Sequence, residues 1–359
     1  SEFEILPSFR LDGGQPKFPC VLYVDAFNRG SQFYIENSLN VVLNGAGSGD
    51  PIPDPTRWDR YDYLDASSNW KGSMYREFGG NAGAEIPQLL GYRAIIFNSG
   101  TFDTGCTWAR DWQGFQQWME AVICDANTNQ QAFIADGTAV SKVINQLYPR
   151  FLSQNLGAVH RCDAYFEQNC PSGETENDQQ YCVRVDPVPG TPFAAGIPMD
   201  IFGNWCPPKV PFGVLGTTGT GAGNKNYVKV GVNTATQYAQ VVNDRSVAPE
   251  KYRTVINDFS YHLLTARDLN VAPDPDLECP DDSASRVNAA FKEIENALKW
   301  TLNIANPQNI GLCAIPPCGI DVPEETGGNV MVNRLHQNHP NPFNPRTVIK
   351  FSLAQGGPA

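Results

Sequence analysis

Basic residues are in short supply. The chain has 26 Lys and Arg against 38 Asp and Glu, a net charge of −12. Nucleic acids and anionic membranes both select basic surfaces, so neither is expected as a partner. No apolar run approaches the roughly 20 residues that span a bilayer, so no membrane insertion is expected. Histidine is scarce, with four in 359 residues, and no CxxC pair occurs. A zinc centre usually draws on closely spaced Cys and His, so no such cofactor is expected. The chain opens "SEFEILPSF", with neither an initiator Met nor a signal-peptide pattern, and reads as a processed product.

Cysteine, by contrast, is plentiful. There are ten: Cys20, Cys106, Cys124, Cys162, Cys170, Cys182, Cys206, Cys279, Cys313 and Cys318. An even count without metal-ligand spacing reads as five disulfides in a secreted protein. Cys313 and Cys318 bound a short proline-stiffened loop, "CAIPPC", and are expected to pair. Cys162, Cys170 and Cys182 fall in one polar stretch and are expected to pin it locally.

Apolar periodicity gives the organisation. "FPCVLYVDAF", "GYRAIIFNSG" and "QAFIADG" are short continuous apolar runs, the pattern of strands buried on both faces of a parallel sheet. "YRTVINDFSYHLL" reads as a late strand. Between them lie helical patterns. One starts at Ser31 with Ile35, Leu39, Val42 and Leu43 on a face and Gly45 at its end. Others run over Trp112 to Cys124, Ala139 to Tyr148 and Ser283 to Asn303. Strands alternating with helices predict an α/β fold with a doubly wound, mostly parallel sheet. Residues 155–250 break the rhythm, with Gly, Pro, Asn and Cys and short β-like pieces such as "YVKVGV". They read as a large disulfide-rich insertion on the sheet. Residues 1–16 read as an arm, in which Phe3, Ile5, Leu6 and Phe9 are apolar, and residues 304–333 as a Pro/Gly-rich linker.

The last segment, 334–359, contains "LHQNHPNPFNPRTVIKFSL". Leu335, Asn338, Pro340, Asn341, Pro342, Phe343, Asn344 and Pro345 carry a pattern that resembles the opening of bacterial type IX secretion sorting domains. The immunoglobulin-like domain of flagellar hook-capping proteins shares it. The resemblance implies a secreted protein of a bacterial cell surface, handled by a secretion machinery. It covers about 25 residues, and those domains continue for several more strands. The body, 17–303, resembles the class I glutamine-amidotransferase-like (flavodoxin-like) domains. "VLYVDAF", "LLGYRAIIFNSG", "FQQWMEAV", "QAFIADGTA", "YRTVINDFSYHLL" and "LKWTLN" carry that resemblance by order and spacing.

Active members of that fold place a Cys on a tight strand-to-helix elbow, G-x-C-x-G, with a His after a late strand. Here the elbow is Ala135 to Ala139 and its nucleophile position is Gly137, which has nothing to attack with. His262 falls where the His is expected, with no thiol to serve. Cys106 is an alternative nucleophile, but it is expected to be bridged, and His160 has no matching context. The reading is therefore a non-catalytic protein, with a displaced-nucleophile hydrolase as the third choice.

Asp25, Asn98, Ser99, Asp136, Asp258 and Ser260 all fall at carboxyl ends of predicted strands, where open α/β sheets bind ligands. A sugar, a peptide or Ca²⁺ suits such an edge, and a glycan- or peptide-binding module is the second choice. Plain capping of the following helices explains the same residues and is preferred here. "GDPIPDPTRWD" and "PDPDLECPDD" offer carboxylates for calcium but match no EF-hand loop and read as solvated acidic loops.

The first choice is a structural, self-assembling subunit. Thr347 to Leu353 alternates as a half-buried strand, with Ile349, Phe351 and Leu353 on one face and Val348 on the other. Nothing after it pairs with it. The expectation is that it joins a sheet edge of a neighbouring copy, as in donor-strand complementation, and that an open filament follows.

Overall fold

A computed structural model describes residues 10–12, 14–27, 31–47, 49–52, 57–62, 89–101, 107–120, 131–163, 182–192, 199–202, 213–229, 232–247, 251–266, 283–314, 334–335 and 351–352. The strands are β1 (Arg10–Asp12), β2 (Gln15–Pro19), β3 (Val21–Asp25), β4 (Trp58–Asp62), β5 (Ala94–Gly100), β6 (Gln131–Gly137), β7 (Ala158–Cys162), β8 (Cys182–Pro187), β9 (Met199–Phe202) and β10 (Val214–Thr217). They continue with β11 (Gly221–Lys229), β12 (Val232–Asp244), β13 (Tyr252–Asn257), β14 (Leu264–Ala266), β15 (Leu312–Ala314), β16 (Arg334–Leu335) and β17 (Phe351–Ser352). The helices are α1 (Ser31–Leu39), α2 (Ala109–Glu120), α3 (Val140–Leu147) and α4 (Ser283–Leu302).

The chain is an α/β protein built on one mixed sheet of 12 strands, with main order β14-β9-β8-β11-β12-β13-β6-β5-β3-β4. Strands β4, β3, β5, β6 and β13 are mutually parallel. Numbered in chain order among themselves, they lie 2-1-3-4-5. The apolar runs explain why. Side chains of a strand alternate between faces, so a strand covered on both sides must be apolar throughout. Val21, Tyr23, Ala94, Ile96, Ala132 and Ile134 enter one core, with Ile35 and Leu39 of α1 and Ile294 and Leu298 of α4. Leu22, Val24, Ile95, Phe97, Phe133 and Ala135 enter the other, with Trp112 and Phe115 of α2 and Val140 and Ile144 of α3. In that second core the rings of Phe97, Trp112, Phe115, Phe133 and Phe151 lie 4.9 to 6.0 Å apart in edge and tilted pairs. Each such pair adds roughly 0.5–1.5 kcal/mol beyond its buried area.

The segment 155–250 differs from expectation. Strand β12 pairs antiparallel with β13, then β11 with β12, β8 with β11 and β9 with β8. The described strands of the segment extend the sheet. The two ends of the body contribute strands to a separate 3-stranded sheet, β1-β2-β15. Strand β1 lies in the arm 1–16, β2 runs from the arm into the body, and β15 from the linker pairs with β2. Cys313 lies opposite Phe18 in that pairing, which brings it to Cys20. The two form a disulfide across a sequence separation of 293. The expected Cys313–Cys318 bridge is thereby excluded, because sheet pairing and not loop proximity selects the partner. Cys162 is also disulfide-bonded. Cys106, Cys124, Cys170, Cys206, Cys279 and Cys318 lie outside the described residues, as do Val348, Ile349 and Leu353.

The terminal strand has a partner in its own chain. Strand β17 pairs antiparallel with β16, Leu335 opposite Phe351 and Arg334 opposite Ser352. The expectation that nothing pairs with it overlooked the residues on the far side of the proline-rich turn. No described helix is long and apolar enough to cross a membrane.

Candidate functional site

The register of the sheet aligns polar residues in a single transverse row. Asp62 of β4 lies beside Asp25 of β3, Asp25 beside Asn98 of β5, and Asn98 beside Asp136 of β6. The row continues through Asn257 of β13 and Gln240 of β12 to Lys225 of β11. It occupies the carboxyl ends of the parallel strands, the edge at which such sheets bind ligands. Most of it is buried, so its members must satisfy one another.

Three groups result. At one end Asp25 Oδ2 accepts from Arg60 Nη2 at 2.8 Å and Oδ1 from the Phe27 amide at 3.1 Å. Arg60 also donates to Glu36 at 3.0 Å and Asp62 at 2.8 Å. Burial raises the Glu36 carboxyl above its ordinary range, and Arg60 pulls it back only in part. Two carboxylates of "GDPIPDPTRWD" are engaged separately: Asp50 accepts from the Gly47 amide at 2.6 Å and Asp59 from the Tyr92 hydroxyl at 2.6 Å, while Asp54 lies outside the described residues. "PDPDLECPDD" lies outside the described residues. Among the described residues, no cluster of three metal-ligating side chains exists.

The centre gathers four of the six anticipated residues. Asp136 is fully buried. Its Oδ2 accepts from Ser260 Oγ at 3.1 Å, and its Oδ1 from the Tyr261 amide at 3.0 Å and Asn257 Nδ2 at 3.5 Å. Burial pushes its carboxyl well above the ordinary range, and these donors offset that in part. Ser260 Oγ lies 2.7 Å from His262 Nδ1 and 3.5 Å from Asn98 Oδ1. Ser99 Oγ donates to the Asp136 carbonyl at 3.4 Å. His262 stacks on Phe27 with ring centroids 5.5 Å apart.

The elbow stands beside this group. Gly137 has φ +156°, and a Cβ built there would lie 2.0 Å from Ser99 Oγ. Its amide donates to the Phe259 carbonyl at 3.1 Å, and the Thr138 amide to the Gly100 carbonyl at 2.8 Å. In an active elbow the amide after the nucleophile faces the developing oxyanion. Here that donor is committed to backbone, and the space for a nucleophilic side chain is filled.

Asp258 is separate. Its Oδ1 accepts from the Ser141 amide at 3.0 Å and its Oδ2 from Ser141 Oγ at 2.5 Å. Ser141 Oγ is also 2.8 Å from His160 Nδ1, His160 Nε2 is 2.9 Å from Asp163 Oδ1, and Lys142 Nζ is 2.6 Å from Asp163 Oδ2. Ser141, His160 and Asp163 thus have the connectivity of a nucleophile, a base and an orienting acid. Ser141 is fully buried and its hydroxyl spans Asp258 as well as the imidazole. Sequence reading found no matching context for His160, because one of its partners, Ser141, comes from α3, and Ser141 in turn is held by Asp258 from the loop after β13. The "ADGTAVS" run was the available signal: it places Ser141 one helical turn past the elbow.

Lys225 closes the far end of the row. Its Nζ is 2.9 Å from Glu293 Oε1 of α4, and both side chains are buried. Gln240 Nε2 donates to Asn257 Oδ1 at 2.7 Å and to Glu293 Oε2 at 3.4 Å, and its Oε1 accepts from Asn224.

No family model, curated protein or solved structure matches this chain.

Proposed function

We propose that the chain is a non-catalytic structural protein of a bacterial cell surface, secreted and self-assembling, with a flavodoxin-like amidotransferase-type body. The closed elbow carries this reading. Gly137 has no side chain, Ser99 fills the adjoining space, and the neighbouring amides donate to backbone carbonyls. The strand order 2-1-3-4-5 among the parallel strands is the flavodoxin order, in support of the fold assignment. The Cys20–Cys313 bond suits an oxidising compartment.

The strand-end row argues against a ligand pocket as the main purpose, since Asn98, Asp136, Asn257 and Ser260 are buried and bonded to one another. Assembly falls to the tail. A two-stranded hairpin is marginal in water by itself and gains stability from a third strand or a surface. The β16–β17 hairpin, and not a bare strand, is then the element offered to a neighbouring copy.

Sedimentation of the chain over a range of concentrations, with and without residues 334–359, tests this. Self-association without any added ligand, lost on deletion or in Phe351→Asp, is the expected result. A chain that stays monomeric at every concentration overturns the assembly role and favours the glycan- or peptide-binding reading.

A further inference from the structure

The transverse row ends in an unusual contact. Lys225 and Glu293 are 1% and 0% exposed, and Nζ lies 2.9 Å from Oε1. Yet neither atom makes a directed hydrogen bond. A buried ion pair offsets its desolvation only when its geometry is good and its remaining donors and acceptors are met. This pair fails the second condition. Tyr227, Ala289, Ala290, Ile294 and Ala297 belong to the apolar core of the same face. The buried Tyr261 hydroxyl lies within electrostatic reach of Glu293.

An amine held against a carboxyl group in a dry core is also the arrangement for condensation. We propose that Lys225 and Glu293 join in an internal amide bond, linking β11 covalently to α4. The step needs no oxidant and no co-reactant. Nζ passes one proton to Oε1, giving a neutral amine and a carboxylic acid. The nitrogen lone pair attacks Cδ, and negative charge develops on Oε2, which receives the Gln240 amide at 3.4 Å. The Cδ–Oε1 bond then breaks. Oε1 leaves as water, carrying the first proton and a second from Nζ. One N–C bond forms, one C–O bond breaks, and one water is released. Enforced proximity supplies the driving geometry: effective molarities of about 10⁵–10⁸ M are reached when groups are held in a near-attack pose. Burial of the site disfavours return of the water.

Intact mass decides the matter. The full chain is denatured, its disulfides reduced and alkylated, and the product weighed. The expected mass is one water below the sequence value. Proteolysis then gives one branched peptide joining β11 to α4, with no tryptic cleavage after Lys225. Lys225→Arg keeps a cation opposite Glu293 but removes the primary amine, and must return the full sequence mass. An unmodified chain of full mass that is cleaved after Lys225 overturns the proposal. So does a water loss that persists in Lys225→Arg.

Discussion

Replacing Asp258 with Asn should make the protein more stable at neutral pH and less dependent on pH. Asp258 is fully buried, and burial lifts its carboxyl from 3.8 to about 6 against the pull of Ser141 and His160. A folded-state value above the unfolded one means that the native protein keeps a proton the unfolded chain has released. The associated stability is present in full below pH 3.8 and is lost as pH rises through about 6. A shift of roughly two units corresponds to about 3 kcal/mol. An Asn side chain meets the same partners without charge. Its Oδ1 accepts from the Ser141 amide and its Nδ2 donates to Ser141 Oγ. The hydroxyl proton then goes to His160 Nδ1, and His160 Nε2–H donates to Asp163. Urea denaturation of both proteins between about pH 4 and pH 7.5 reads this directly. His160, Asp163 and Lys142 are present in both, so to first order they cancel in the difference. The stability of Asp258→Asn relative to the parent should rise by about 2.5 kcal/mol across that range, the remainder lying below pH 4. A difference that stays flat refutes the buried-carboxyl argument.

Two further outcomes follow from packing and topology. Gly137→Ala should cost roughly 1–3 kcal/mol, because its Cβ meets Ser99 Oγ at a φ of +156° that L side chains rarely adopt, and Ser99→Gly should recover the contact part of that loss only; thermal denaturation of the single and double variants measures the coupling, and strictly additive losses contradict it. Cys20→Ala with Cys313→Ala should lower stability by roughly 2–5 kcal/mol and free Leu312–Ala314 from β2, seen as faster amide exchange there; unchanged exchange is the contrary result.

The parallel half of the sheet was legible because its burial is two-sided. β3, β5, β6 and β13 are buried at nearly every position and each carries a short apolar run, and the helices between them carry apolar stripes. The antiparallel half was legible only in pieces, "YVKVGV" and "YAQVVND" reading as β-like. Strands β11 and β12 bury Asn224, Lys225, Gln240 and Asn243, polar residues that interrupt an apolar pattern. Asn224 and Gln240 meet across the strands, Asn243 bonds the Asn155 carbonyl and Lys225 faces Glu293 of α4, pairings set by register and tertiary packing and not by local pattern. Strand β4 was hidden in the same way: "WDRYD" reads as an acidic loop until Arg60 and Tyr92 are seen to take up its carboxylates. Four of the six anticipated edge residues do meet. Asp25 and Asp258 do not join them, because Arg60 holds one and Ser141 the other.

The Cys20–Cys313 bond has a mechanical meaning. It joins the chain just before the first core strand to the chain just after the last helix. A pull applied between the residues ahead of Cys20 and the tail behind Cys313 is carried by sulfur. The sheet and its helices lie outside the load path. Stretching the oxidised protein from those two ends therefore releases none of the intervening 293-residue span, roughly 1,000 Å of contour length. Reduction of this bond puts the span in series with the force, less whatever the disulfide at Cys162 still closes off. A surface protein strung between an anchor and a neighbour would stay taut in oxidising surroundings and become extensible when a reductant reaches one bond.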